Sequence, residues 1–162
     1  MEFNQLSAED AATRVTGCLG VPRWVEEIVA GRPYPDRETL LDRGSASADH
    51  LSDDELASAI SRHPRIGEQP PTHDSGTDAE AAHSRAEQAG VDPTDEERLR
   101  AGNAAYEQRF GRVFLIRAAG RGSSEILAEL HRRLGNDDAT EREETVRALR
   151  DIAVLRLRQV VE

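Results

Sequence analysis

The stretch Asp138–Val160, DATEREETVRALRDIAVLRLRQV, decides the fold class. Val146, Leu149, Ile152, Ala153, Leu157 and Val160 recur in it at helical spacing, the mark of an amphipathic helix. Working outward, the same grammar repeats. Ser123 opens a helix carrying Ile126, Leu127, Leu130 and Leu134, which Gly135 stops. Thr94 and Glu97 form a capping box ahead of a helix running to Phe110, and Thr77 can cap an alanine-rich helix ending at Gly90. Ser52 and Glu55 make a second box before Leu56, Ala59 and Ile60, and Asp36 can cap the segment before that. Pro22 suits a first helical turn and Gly31 its end, while Ser7 and Asp10 open a helix towards Leu19. The expectation is an all-α, single-domain helical bundle of about eight helices with one short extended segment, spanning residues 1–162.

The extended segment is Val113-Phe114-Leu115-Ile116-Arg117, apolar and bounded by Gly111 and Gly120. It reads as a strand or as a buried extended linker, and no partner strand is evident. The least regular stretch runs from His63 to Gly76 and contains Pro64, Gly67, Pro70, Pro71 and Gly76. A loop this long in a small domain is commonly functional.

Composition narrows the function classes. The 162 residues are 37% apolar and 32% charged, with a formal net charge of -10. Such a field disfavours nucleic acid and anionic membranes as partners, although a local basic pocket can still take a small anion. All 21 basic residues are arginine, so Schiff-base chemistry through a lysine is excluded. Cys18 stands alone, which rules out an intrachain disulfide and fits a reducing compartment. It reads as a small core residue. No apolar run approaches the roughly 18 residues of a membrane span. The first residues do not resemble a signal peptide and the last three carry no peroxisomal signal, so the cytoplasm is expected.

Three groups of residues can carry chemistry. His63 sits at or just past a helix end, and Pro64 fixes its turn, a rigid base on which either a structural or a functional histidine can stand. Ser84, Glu87 and Gln88 share one face of a helix, where a hydroxyl, a carboxylate and an amide can read a polar heterocycle or simply face solvent. Asn103, Tyr106, Arg109, Phe110 and Gly111 form a third patch. There Tyr106 and Phe110 pack as an i, i+4 pair, while Arg109 and Arg117 serve either a carboxylate ligand or structural ion pairs. His83 and Glu87, with His63 or His73, leave a two-histidine, one-carboxylate metal set open.

Taken together, His63-Pro64-Arg65-Ile66-Gly67, Ser84-x-x-Glu87-Gln88-x-Gly90 and Asn103-x-x-Tyr106-x-x-Arg109-Phe110-Gly111-x-x-Phe114-Leu115-Ile116 resemble the OHCU decarboxylase family. OHCU is 2-oxo-4-hydroxy-4-carboxy-5-ureidoimidazoline, decarboxylated in the last step from urate to allantoin. The resemblance covers nearly the whole chain. It implies an all-helical homodimer with no cofactor and no metal. It also implies catalytic roles for His63, as proton donor, and for Glu87, assisting. Substrate binding is implied for Pro64, for Ser84, Arg85, Ala86, Glu87 and Gln88, and for Leu115, Ile116, Arg117, Ala118 and Ala119. Backbone groups are the expected contacts in that last segment, and Arg117 stands where the family varies.

The chemistry fits a missing cofactor. Decarboxylation needs an electron sink. The OHCU carboxylate leaves a carbon next to a ring C=N bond, which supplies one. The protein then has to orient the carboxylate and deliver one proton to one face, work suited to a histidine and a carboxylate. Two other classes stay open: a metal-dependent hydrolase using His63, His83 and Glu87, and a non-enzymatic helical adaptor contacting partners through the 63–76 loop.

Overall fold

The computed structural model describes residues 1–67, 78–87 and 95–161, and within 78–87 the side chains of residues 78, 81, 84, 85 and 87 fall outside the description. The described residues form one 3-10 helix, Glu2–Gln5, and eight α-helices with no strand. These are α1 (Ala8–Thr16), α2 (Pro22–Ala30), α3 (Arg37–Ala48), α4 (Asp53–Ser61), α5 (Asp78–Glu87), α6 (Glu96–Phe110), α7 (Ser123–Leu134) and α8 (Asp138–Val160). None of them is long and apolar enough to cross a membrane.

Local signals place most of the helix ends. Ser7 Oγ accepts from the Asp10 amide at the start of α1, and Asp36 Oδ1 accepts from the Thr39 amide at the start of α3. At α4 the box closes both ways: the Glu55 amide donates to Ser52 Oγ and the Ser52 amide to Glu55 Oε2. Pro22 opens α2 and Gly31 caps it. Gly111 ends α6 in the left-handed conformation, at φ 70°. Thr77, Gly90 and Thr94 lie outside the described residues.

Two compact units divide the chain, residues 1–59 with 149–162, and residues 60–148. In the first, Phe3, Val15, Trp24, Ile28, Leu40 and Leu157 are fully buried. Trp24 Nε1 donates to the Gly44 carbonyl at 2.9 Å. A Cβ on Gly44 would stand 2.8 Å from Leu157 Cδ2, so any larger residue in α3 would have to push the end of that leucine aside. Arg23 gathers Glu55, Glu27 and Ser47 around one guanidinium. Cys18 is buried, as a core residue.

The second unit carries the candidate site. Its core joins Ile66, Leu99, Tyr106, Phe114, Ile116, Ala118, Ile126, Leu127 and Leu130. The Tyr106 ring meets Phe110 tilted at 4.8 Å and Phe114 edge-on at 5.2 Å. Residues 113–118 are a linker that is neither helix nor strand, and Phe114, Leu115, Ile116 and Ala118 are buried in it.

Candidate functional site

α4 ends at Ser61, and the His63 amide donates back to the Ile60 carbonyl at 3.0 Å. Pro64 then forbids further helix. His63 is half-buried, with Nε2 shielded from water. Arg65, Ile66 and Gly67 lie along one face of α6. Gly67 rests against Leu99, the Ile66 carbonyl accepts from Asn103 Nδ2 at 3.0 Å, and Arg65 grips Glu107 with Nε and Nη2 at 2.7–3.0 Å. Leu99, Asn103 and Glu107 are spaced by four residues, so one helical face reads three consecutive residues of the turn. Ile66 itself enters the core. Gly67 has φ +88°, a conformation that side-chain-bearing residues rarely hold. His63 therefore stands on a turn with little freedom to move.

α5 is drawn to the same turn. Arg62, just before His63, pairs with the buried Glu80 at 3.7 Å. Residues 84 and 87 follow Glu80 at i+4 and i+7, so the helical register puts them on the Glu80 face. The side chains of Ser84, Arg85 and Glu87 are outside the description, and Gln88 lies outside the described residues. Ala86 is exposed and His83 half-buried.

The 113–118 segment is held from behind. Arg133 of α7, almost fully buried, donates from Nη1 to the Leu115 carbonyl at 2.6 Å, and its guanidinium lies 4.8 Å from the Phe114 ring centre. The same guanidinium pairs with the fully buried Glu141 through Nε at 2.9 Å and Nη2 at 2.5 Å. The Tyr106 hydroxyl and Asn136 Nδ2 complete the carboxylate's partners. Burial, and the hydrogen bond to Glu141, push the Tyr106 phenol above its usual range, so it stays a donor at neutral pH.

Further along the segment the Ala118 carbonyl accepts from the Arg121 amide at 3.0 Å and the Ala119 carbonyl from Arg117 Nη1 at 3.2 Å. The amide N–H groups of residues 114–119 donate to no described residue. Buried amides are almost always paired, so the open amides of this segment are suited to ligand oxygens.

The site residues read from sequence thus divide. His63, Pro64 and residues 115–119 lie in one unit, and α5 is tied to the His63 turn through Glu80. Arg109 does not join them: it is exposed, 3.5 Å from Asp138, and donates to the Asn136 carbonyl, the structural of the two uses open to it. Among the described residues no three His, Cys, Asp or Glu side chains gather as a metal site; His73 and the Glu87 side chain lie outside them. Sequence reading passes over Arg133, Glu141 and Glu80. The signal for Arg133 is its place on the apolar face of α7, three residues after Leu130 and seven after Ile126.

A family model described as OHCU decarboxylase matches residues 4–158. The chain is 25% identical over 160 residues to a "Uric acid degradation bifunctional protein" from Bacillus sp. (strain TB-90), covering 98% of this chain and 31% of that protein. It is 40% identical over 86 residues to a "2-oxo-4-hydroxy-4-carboxy-5-ureidoimidazoline decarboxylase" from Amia calva, covering 50% of this chain and 49% of that one. The matches thus span less than half the length of either relative. Among solved structures, the fold is similar to that of an OHCU decarboxylase crystallised in the presence of (S)-allantoin, with TM-score 0.71 and 20% identity over 89% of this chain and 94% of that one. It is also similar to (S)-allantoin synthase, with TM-score 0.69 and 18% identity over 99% of this chain and 53% of that one. At these identities the structures speak for the helical fold. The family match, over nearly the full length, decides the rest: the chain belongs to the OHCU decarboxylase family.

Proposed function

We propose that this chain decarboxylates 2-oxo-4-hydroxy-4-carboxy-5-ureidoimidazoline to (S)-allantoin in urate degradation, with His63 as proton donor and Glu87 assisting. The carrying observation is the His63 turn, fixed on the Leu99–Asn103–Glu107 face of α6 beside a helix bearing Ser84 and Glu87. A positioned histidine is what this reaction needs from a protein.

The steps balance without a cofactor. The C–CO2 bond breaks as carbon dioxide leaves; its electron pair forms a C=C bond in the ring while the C=N pair moves onto the ring nitrogen, which takes a proton, leaving an enol. The enol hydroxyl gives up its proton to become the ring carbonyl, and His63 delivers a proton to the ureido-bearing carbon. Delivery to one face makes one enantiomer. Pro64, the 84–88 stretch with Arg85, Ala86 and Gln88, and the amides of residues 115–119 would hold the substrate. In this reading residues 1–162 form one catalytic domain that acts in the cytoplasm as a homodimer, the latter checked by the mass in solution.

The test generates the unstable substrate in situ from urate with uricase and hydroxyisourate hydrolase, adds this protein and follows circular dichroism. Optically active product formed faster than the spontaneous reaction supports the proposal. Racemic product at the spontaneous rate sinks it.

A further inference from the structure

We infer that Arg133 is a positioning residue for this reaction, acting through the Leu115 carbonyl to aim the Ile116 amide at a substrate oxygen. The inference rests on the decarboxylase reading and extends it to a residue remote from the acid–base pair.

A buried ion pair is a weak source of stability, because apolar residues of similar volume usually do as well. The Arg133–Glu141 pair is fully buried and fully bonded, with Tyr106, Asn136 and Thr145 recruited to satisfy it. One of its bonds does something no apolar side chain can: Nη1 holds the Leu115 carbonyl at 2.6 Å. In a planar trans peptide the carbonyl and the following N–H point in opposite directions. Fixing the Leu115 oxygen towards Arg133 therefore fixes the Ile116 N–H away from it. Ile116 is buried, and its amide donates to no described residue.

The Leu115, Ala118 and Ala119 carbonyls are engaged by Arg133, the Arg121 amide and Arg117. The Ile116 amide is then an available donor, suited to a carboxylate or a ureido or ring carbonyl oxygen.

Two variants and one wild-type measurement test this. Arg133→Lys keeps the charge facing Glu141 but loses the forked geometry that also reaches Leu115. Arg133→Met with Glu141→Leu removes the charges together and keeps the volume. In whichever variant retains the helical CD signal, KM and the Kd for (S)-allantoin should rise about tenfold, the cost of one misdirected hydrogen bond. The pH profile of kcat should stay in place, because His63 keeps its own anchors. In the wild type, (S)-allantoin should slow hydrogen exchange at the Ile116 amide, a readout that needs no variant to fold. Wild-type KM and Kd in a folded variant, or an Ile116 exchange rate indifferent to (S)-allantoin, overturns the inference while the decarboxylase reading stands. A wild-type protein that turns over no substrate overturns both.

Discussion

Asn103 Nδ2 donates to the carbonyl of Ile66 across a buried gap of 3.0 Å. This bond joins the middle of α6 to the turn that carries His63. Asn103 Oδ1 is buried too, with no partner among the described residues. Asn103→Leu should therefore cost about 1–2 kcal/mol, since it strands the Ile66 carbonyl but also removes the orphaned oxygen. Asn103→Asp should cost more, because it sets a buried carboxylate against that carbonyl. Urea unfolding of the two variants checks the order, and an Asp variant as stable as the Leu variant contradicts it.

Gly67 makes a narrower prediction. A Cβ there would meet Leu99 Cδ1 at 3.5 Å, an ordinary contact, so space is not the obstacle. The φ of +88° is. Gly67→Ala should lose about 1 kcal/mol through backbone strain alone and should lower kcat by loosening the turn below His63. A thermal melt indistinguishable from wild type would show that the turn relaxes freely.

Arg65 and Glu107 sit at the wet end of the same face. Their side chains are 45% and 27% exposed, so the two-pronged geometry contributes only about 0.5–1 kcal/mol. Glu107→Gln should show that loss at low salt and almost none near 1 M, where screening is nearly complete. A loss independent of salt would mean the pair works by shape and not by charge.

Acid stability has a named source in Arg132 and Glu144. Hydrogen bonds from Arg132, at 2.8 and 2.5 Å, draw the Glu144 carboxyl from 4.5 down to about 2. A carboxyl whose pKa falls on folding adds stability that is complete above its unfolded value and is lost as pH drops towards the folded one. The window runs from about pH 4.5 to about 2. Arg132→Gln should flatten the stability curve across that window by roughly 1–2 kcal/mol, discounted because Arg132 is half exposed. Parallel curves for the variant and wild type would assign the acid transition elsewhere.

Which parts of the molecule are legible in sequence follows from the range of the forces involved. Caps act over three or four residues, so Ser52 with Glu55, and Asp36 with Thr39, can be read directly and recur in the structure. The 113–117 segment has the composition of a strand but no partner to pair with, and its backbone is held instead by an arginine eighteen residues on. That bond is not written in any local pattern. Glu107 likewise reads as an ordinary polar residue until the turn 42 residues earlier is laid against it, and Asn103, singled out in sequence, shows its partner Ile66 only in the fold. The place of His63 just past a helix end is legible locally, whereas the contacts that hold its turn are not.

The central claim is that His63 carries the proton. The most direct measurement is the initial rate at which optical activity appears when OHCU is generated in situ, compared between wild type and His63→Asn at matched helical CD. The account predicts that wild type yields (S)-allantoin well above the spontaneous rate and that His63→Asn yields racemic product at the spontaneous rate. Enantiomerically enriched allantoin from the folded His63→Asn protein at a near-wild-type rate would contradict it.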